Sequence, residues 1–232
     1  MIRIQKHMAD LGMCSRREAE ALIERGLVSL NGKIVRTMGV KVNPETDVVE
    51  VHGKGAKELR EKTTILLNKP KGIASSRADD EGETVYDRFP HFENLDIIGR
   101  LDKASEGLLL LSDDGVIARA VTGSHHGIEK EYLVQVREDV LKGKLLSLEG
   151  GITLDDGPTL PVKTKFVDTH TFHITLREGR KHQVRRMCEY LHYTVVSLKR
   201  IRIGNLKIGN LKSGSHRVLT PREIQLLKAS HQ

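Results

Sequence analysis

Tryptophan is absent, aromatic residues make up only 3% of the 232-residue chain, and there are just two cysteines. Cys14 and Cys188 cannot build a disulfide framework, which excludes a small disulfide-stapled secreted fold and fits a reducing, cytoplasmic setting. They also form no CxxC pair, so the spacing of a structural zinc site is missing. No run approaches the roughly 20 apolar residues of a membrane span. The segment after Met1 is polar and lacks the apolar stretch of a secretory signal. Neither a P-loop nor a dinucleotide-binding glycine fingerprint occurs, so no nucleotide cofactor is indicated.

Hydrophobic residues, at 38%, suffice for a core, and the 30% charged residues are too well mixed with them for disorder. Lys and Arg number 38 against 31 Asp and Glu, a net charge of +7. That excess is local. Residues 1–52 balance at +1, residues 53–176 at −4 and residues 177–222 at +10. A cationic cluster can neutralise phosphates, whereas the same charges spread evenly only solvate a surface. On charge alone, a solvated helix face explains the C-terminal stretch equally well.

The length allows one medium domain or two small ones, and the patterning favours two. Ile4, Met8 and Leu11 share one helix face, and Gly12 stops that helix. Ser15 and Glu18 form a capping box for a second helix, which turns Ala19, Leu22 and Ile23 inward and ends near Gly26. A strand over 27–30, an Asn31-Gly32 turn and a return strand over 33–35 make a hairpin. A short strand follows over 48–51. The polar stretch 53–62 reads as a linker. We therefore place a small helix–helix–hairpin domain at 1–52 and a second domain at 63–232.

The second domain is strand-rich. Strands are expected over 63–68, 108–111, 163–167, 171–177 and 194–203, and alternation at Tyr132, Val134 and Val136 marks another. Residues 180–191 carry Val184, Met187, Cys188 and Leu191 at helical spacing, and Thr220 to Glu223 form a second capping box. Strands too numerous for βαβ alternation predict an α+β fold with a mixed, largely antiparallel sheet.

Three segments carry chemistry. Residues 99–111 (GRLDKASEGLLLL) put Asp102 in a turn before a buried strand, flanked by Arg100 and Lys103. A carboxylate held near cations stays ionised and suits a nucleophile or electrostatic catalyst, although an Asp in a turn is by itself most often structural. Residues 178–187 (EGRKHQVRRM) open a helix with polar or cationic residues, where free amides favour anions. In residues 129–134 (EKEYLV), Tyr132 can stack on a base or simply pack in the core. His125-His126 beside Asp113-Asp114 is the one metal-like cluster. Hard-metal sites need several converging oxygens, so no metal is expected.

The first 52 residues resemble the S4 RNA-binding domain, through Ser15 to Ala19, Ile23, Gly26, Val28 and Asn31-Gly32-Lys33. Nearly the whole chain resembles the RsuA/RluB/RluF-type ribosomal RNA pseudouridine synthases. The S4 unit, the NKPKG turn at 68–72, GRLD followed by GLLLL, Lys130-Glu131-Tyr132 and HQVRRM occur in the family's order. The resemblance implies that Asp102 is the catalytic aspartate, that Tyr132 stacks on the target base and that Arg185 pairs with Asp102. Arg100 would fill the space left by the extruded nucleotide. It further implies RNA contacts from Arg16, Arg17 and Lys33 in the S4 unit, and from Lys69, Arg180, Lys181, His182, Gln183 and Arg186. The implied reaction isomerises uridine to pseudouridine in ribosomal RNA and needs no cofactor. The sequence shows no membrane association and no obligate protein partner, and a monomer is the default expectation. Residues 82–88 and 154–158 lean toward large-subunit members. The competing reading is a catalytically silent RNA-binding or ribosome-assembly protein.

Overall fold

The computed structural model describes residues 1–60, 62–78, 82–123 and 127–229. The N-terminal unit runs β1 (Ile2–Arg3), α1 (Ile4–Asp10), α2 (Arg16–Glu24), β2 (Val28–Leu30), β3 (Lys33–Val35), β4 (Lys41–Val42) and β5 (Val49–Val51). Helix α2 begins at the expected capping box: the Ser15 hydroxyl accepts from the Glu18 amide, and the Glu18 carboxylate accepts from the Ser15 amide. Such caps stabilise a helix by about 1 kcal/mol. Asn31 and Gly32 both have positive φ, as a tight two-residue hairpin turn requires. Strands β3-β2-β5 form one antiparallel sheet and β1 pairs with β4. Ile4, Met8, Ala19, Leu22, Ile23 and Val28 fill the space between helices and hairpin.

The polar stretch read as a linker is helical over Gly53–Arg60 (α3). Gly55 sits against Leu22 and Val51, where a Cβ would come within 2.8 Å of the Leu22 side chain. Leu59 packs on the same small core. Tertiary contact, not helix propensity, holds this segment.

The second unit comprises β6 (Thr64–Lys69), α4 (Val85–Arg88), β7 (Asp96–Ile98), β8 (Glu106–Ser112), α5 (Gly115–Thr122), β9 (Lys130–Val136) and α6 (Lys142–Glu149). It continues with β10 (Thr153–Leu154), β11 (Gly157–Pro158), β12 (Lys163–Asp168), β13 (Thr171–Leu176) and α7 (Gln183–Tyr190). It ends with β14 (Val195–Ile203), β15 (Leu206–Lys207), β16 (His216–Val218) and α8 (Pro221–Ala229). The main sheet is ordered β12-β13-β9-β14-β8-β6-β16, with β7 on β8 and β15 on β14. Among the strands of this sheet in the described residues only the β14–β8 pairing is parallel; the rest are antiparallel, as the strand-rich sequence predicts.

Strand β8 explains its own composition. Leu108 and Leu110 enter one core, with α5 and α8, while Leu109 and Leu111 enter another, with Val85 and Phe92. A strand buried on both faces needs a continuous apolar run. A third core joins β9 and β13 to α6 and α7 through Val134, Phe172, Ile174, Leu145 and Met187. Tyr132 packs against both this core and the Leu109 core, so it marks where the two meet.

Candidate active site

Asp102 lies in the loop 99–105 between β7 and β8. Its carbonyl accepts from the Ser105 amide at 2.9 Å, which closes the turn. The loop is fastened from several sides. The Gly72 amide donates to the Lys103 carbonyl at 2.8 Å, and the Leu101 amide donates to the Ser75 hydroxyl at 3.3 Å. The NKPKG turn is therefore a backing for the Asp102 loop. The Asp102 side chain is 37% exposed, open enough to meet a ligand.

Several cations lie around this loop, and Lys69, Arg185 and Arg200 grip its backbone. Arg185 donates to the carbonyl of Ala104 at 2.9 Å. Among the described residues the expected Arg185–Asp102 ion pair does not occur. Among the described residues His182 is the basic side chain within 4 Å of the Asp102 carboxylate, with Nε2 at 3.5 Å from Oδ1, and the two form an ion pair when the imidazole is protonated. The α7 ladder begins at Gln183, not Arg180, and His182 caps it in the left-handed conformation (φ 53°). That backbone twist turns the imidazole toward Asp102 and leaves Arg185 one turn further along, facing Ala104. The Nε of Arg185 is buried and has no hydrogen-bond partner among the described residues.

Lys69 was expected on the RNA surface but is fully buried. Its ammonium donates to the carbonyls of Ser105 at 2.8 Å and Pro70 at 3.0 Å. Burial pushes its pKa down to about 8, against the opposing pull of Asp102 and Glu106. The reason is topological: β6 is buried along all six residues, and Lys69 closes it beneath the Asp102 loop. Gln183 is buried as well. Its amide group accepts from the Arg180 backbone and donates to Glu178, so it shapes the turn into α7 and does not face RNA.

Arg180 and Arg186 have their charges answered within the protein. Arg186 makes a two-pronged bond to Asp156 at 2.8 and 3.0 Å, and Arg180 reaches Asp156, Glu178 and the carbonyls of Gly157 and Pro158. The Arg186 guanidinium, with Arg180 beside it, holds the Asp156 carboxyl down at about 2. Asp156, in the 154–158 segment, therefore clamps the basic segment. Arg100, Lys181, Arg16, Arg17 and Lys33 are exposed and make no side-chain bond among the described residues. Arg16 shares a shallow pocket with Arg3 and Lys6.

The burial of two further cations went unread in the sequence. Arg200 in β14 donates to the carbonyls of Leu108 and Gly99. Lys130 is buried at the start of β9, and burial, helped by Arg200, pushes its pKa down to about 8. The available signal was the two-residue period that puts Arg200 on the same face as Leu198, and Lys130 on that of Tyr132 and Val134. A polar cleft lined by Lys130, Arg177 and Arg202 contains neither Asp102 nor Tyr132.

Strand register sets Tyr132 near the loop. Tyr132 pairs with Arg200 across β9–β14, and Arg200 pairs with Gly107 across β14–β8. The three residues lie abreast, roughly 5 Å per strand step. Among the described residues no group of three or more His, Cys, Asp or Glu side chains converges as metal ligands, and His125 and His126 lie outside them. Both cysteines are free and buried, and burial pushes each thiol up to about 12. No helix among the described residues is long and apolar enough to cross a membrane.

The family model for RNA pseudouridylate synthase matches residues 63–190, and that for the S4 domain matches residues 2–49. Ribosomal large subunit pseudouridine synthase B of Bacillus subtilis is 40% identical, over 99% of this chain and 96% of that protein. Dual-specificity RNA pseudouridine synthase RluF of Escherichia coli is 37% identical, over 96% of this chain and 77% of that protein. A crystal structure of a pseudouridylate synthase superposes with a TM-score of 0.70 at 32% identity, covering 98% of this chain and 100% of that one. With a synthase match over residues 63–190, an S4 match over residues 2–49 and 40% identity across nearly the whole chain, the chain belongs to the RNA pseudouridylate synthase family.

Proposed function

We propose that the protein converts uridine to pseudouridine in ribosomal RNA of the large subunit, with Asp102 as the catalytic carboxylate. The observation that carries this reading is the Asp102 loop itself: an accessible carboxylate on a backbone gripped by Lys69 and Arg185 through the carbonyls of Ser105 and Ala104. The reaction breaks the N1–C1′ bond, turns the base and joins C5 to C1′; C5 gives up its proton and N1 gains one, so the product is an isomer. Nothing is oxidised and no group is imported. Asp102 acts at C1′, as nucleophile or as counter-charge, and His182 at 3.5 Å is placed to orient it.

A base within a helix is out of reach, so the nucleotide is extruded at a cost of a few kcal/mol. Tyr132 recovers part of this by stacking, about 1–3 kcal/mol. Arg100, exposed beside Asp102, occupies the space the nucleotide leaves. Residues 1–52 dock the RNA through Arg16, Arg17 and Lys33, and residues 63–232 carry out the chemistry as a monomer in the cytoplasm. The pocket lined by Arg3, Lys6 and Arg16, with Gln5 and the Glu20 carboxylate, has a net positive lining that supports phosphate docking at the N-terminal unit. Large-subunit RNA is favoured by the 40% identity to an enzyme named for that substrate.

Incubating purified protein with large-subunit RNA, followed by chemical mapping of pseudouridine, tests the reading. Wild type forms the product and Asp102→Asn does not, while both bind the RNA. Unchanged product from Asp102→Asn sinks the assignment.

A further inference from the structure

Arg200 is a buried guanidinium, 1% exposed, with no carboxylate in ion-pair range among the described residues. Placing such a charge in the interior is unfavourable unless its donors are well used, and an apolar side chain ordinarily fills such a position. The donors here have specific targets. Nε donates to the Leu108 carbonyl at 2.7 Å, and a terminal nitrogen donates to the Gly99 carbonyl at 2.6 Å. These two acceptors flank the loop 99–105. Gly99 opens it and Leu108 follows it in β8. One rigid planar fork therefore fixes the distance between the two ends of the loop that carries Asp102.

The surrounding backbone is shaped to allow this. Gly99 has a φ of +66°, a conformation that side-chain-bearing residues rarely adopt. Gly107 has a φ of +104°, and a Cβ there would lie 2.3 Å from the Arg200 carbonyl oxygen. The missing side chain lets β8 and β14 close in their short parallel ladder, where Lys199 pairs with Glu106 and Arg200 with Gly107. On its other side Arg200 pairs with Tyr132. A single residue thus connects the Asp102 loop to the tyrosine strand.

We infer that Arg200 is a positioning residue for the isomerisation: through the Gly99 and Leu108 carbonyls it sets Asp102 relative to Tyr132 without touching the RNA. This rests on the reading of Asp102 as the catalytic carboxylate. A cation beneath a loop could serve folding alone, so the test separates rate from binding and stability.

Arg200→Met, Arg200→Lys and Asp102→Asn are compared with wild type in single-turnover pseudouridine formation, RNA affinity, thermal melting and amide hydrogen exchange. Misplacement of a reacting group by about 1 Å costs on the order of 100-fold, so Arg200→Met should lose ~100-fold in single-turnover rate with Kd within about twofold. Exchange should quicken only in peptides covering 99–105. Arg200→Lys, able to reach one carbonyl, should recover about tenfold of that loss. A folded Arg200→Met with wild-type rate overturns the inference, as does exchange quickened evenly across the whole sheet. If Arg200→Met does not fold, Arg200→Lys decides: a slowed rate at native melting temperature and Kd supports positioning, and a native rate overturns it. An active Asp102→Asn removes the reading beneath the inference. An inactive Asp102→Asn beside a fully active Arg200→Met removes only the role of Arg200.

Discussion

Replacing Lys69 with methionine removes a fully buried ammonium and leaves the side-chain volume nearly unchanged. Burial lowers its pKa from 10.5 to about 8. That depression corresponds to roughly 3 kcal/mol of cost for keeping the charge inside at neutral pH. Below about pH 8 both folded and unfolded chains hold the proton, and the folded protein bears the full cost. Between about 8 and 10.5 the folded protein releases the proton while the unfolded chain keeps it, so wild-type stability rises with pH. From pH 7 to pH 10 the gain is about 2.5 kcal/mol relative to Lys69→Met, in which the group is missing. At pH 7 the variant escapes the burial cost but leaves the carbonyls of Ser105 and Pro70 without their donor, about 1–3 kcal/mol each, so the two proteins should be close in stability there. Lys130 is also held near 8 by burial, but it is present in both proteins and cancels in the difference. Urea unfolding followed by circular dichroism at unit pH steps from 7 to 10 measures this. Parallel stability curves would refute the buried-ammonium reading of Lys69.

Arg185→Ala frees the Ala104 carbonyl two residues from Asp102, so kcat should drop by about tenfold or more while RNA affinity changes little; a defect in filter binding alone would contradict this. Tyr132→Phe keeps the ring wedged between two cores and should retain activity and melt within a few degrees of wild type. Tyr132→Ser removes the stacking surface and should lose most turnover. Arg16→Glu with Arg17→Glu should weaken RNA binding and lower the slope of log affinity against log salt by about 1.5, with single-turnover rate at saturation intact; an unchanged slope would exclude these side chains from the phosphate contacts.

How much of this was legible in the sequence depends on whether a segment carries its own pattern. The four consecutive leucines of β8 announce a strand buried on both faces, and the Ser15 and Thr220 boxes announce helix starts that the hydrogen bonds reproduce. The pairing of β1 with β4 involves two residues on each side, too few for any period to register. Helix α3 contains two glycines and few apolar residues, and it forms because Gly55 and Leu59 fit against Leu22 and its neighbours. At the site, Asp102, Tyr132 and Arg185 were found by motif, but motif does not give orientation. The left-handed His182 rotates the helix start and sends Arg185 to a carbonyl. Lys69 looked exposed because its turn is rich in lysine, proline and glycine, yet the strand it closes lies inside the sheet. Asp156 needed the folded chain to meet Arg186, thirty residues away.

The most direct test is a transcript-wide chemical map of pseudouridine in ribosomal RNA from cells lacking this protein, complemented with wild type or with Asp102→Ala. At least one large-subunit uridine should lose its signal in the deletion, regain it with wild type and stay unmodified with Asp102→Ala. A map unchanged by the deletion, or restored by Asp102→Ala, would contradict the assignment of Asp102 as the catalytic residue of a ribosomal RNA pseudouridine synthase.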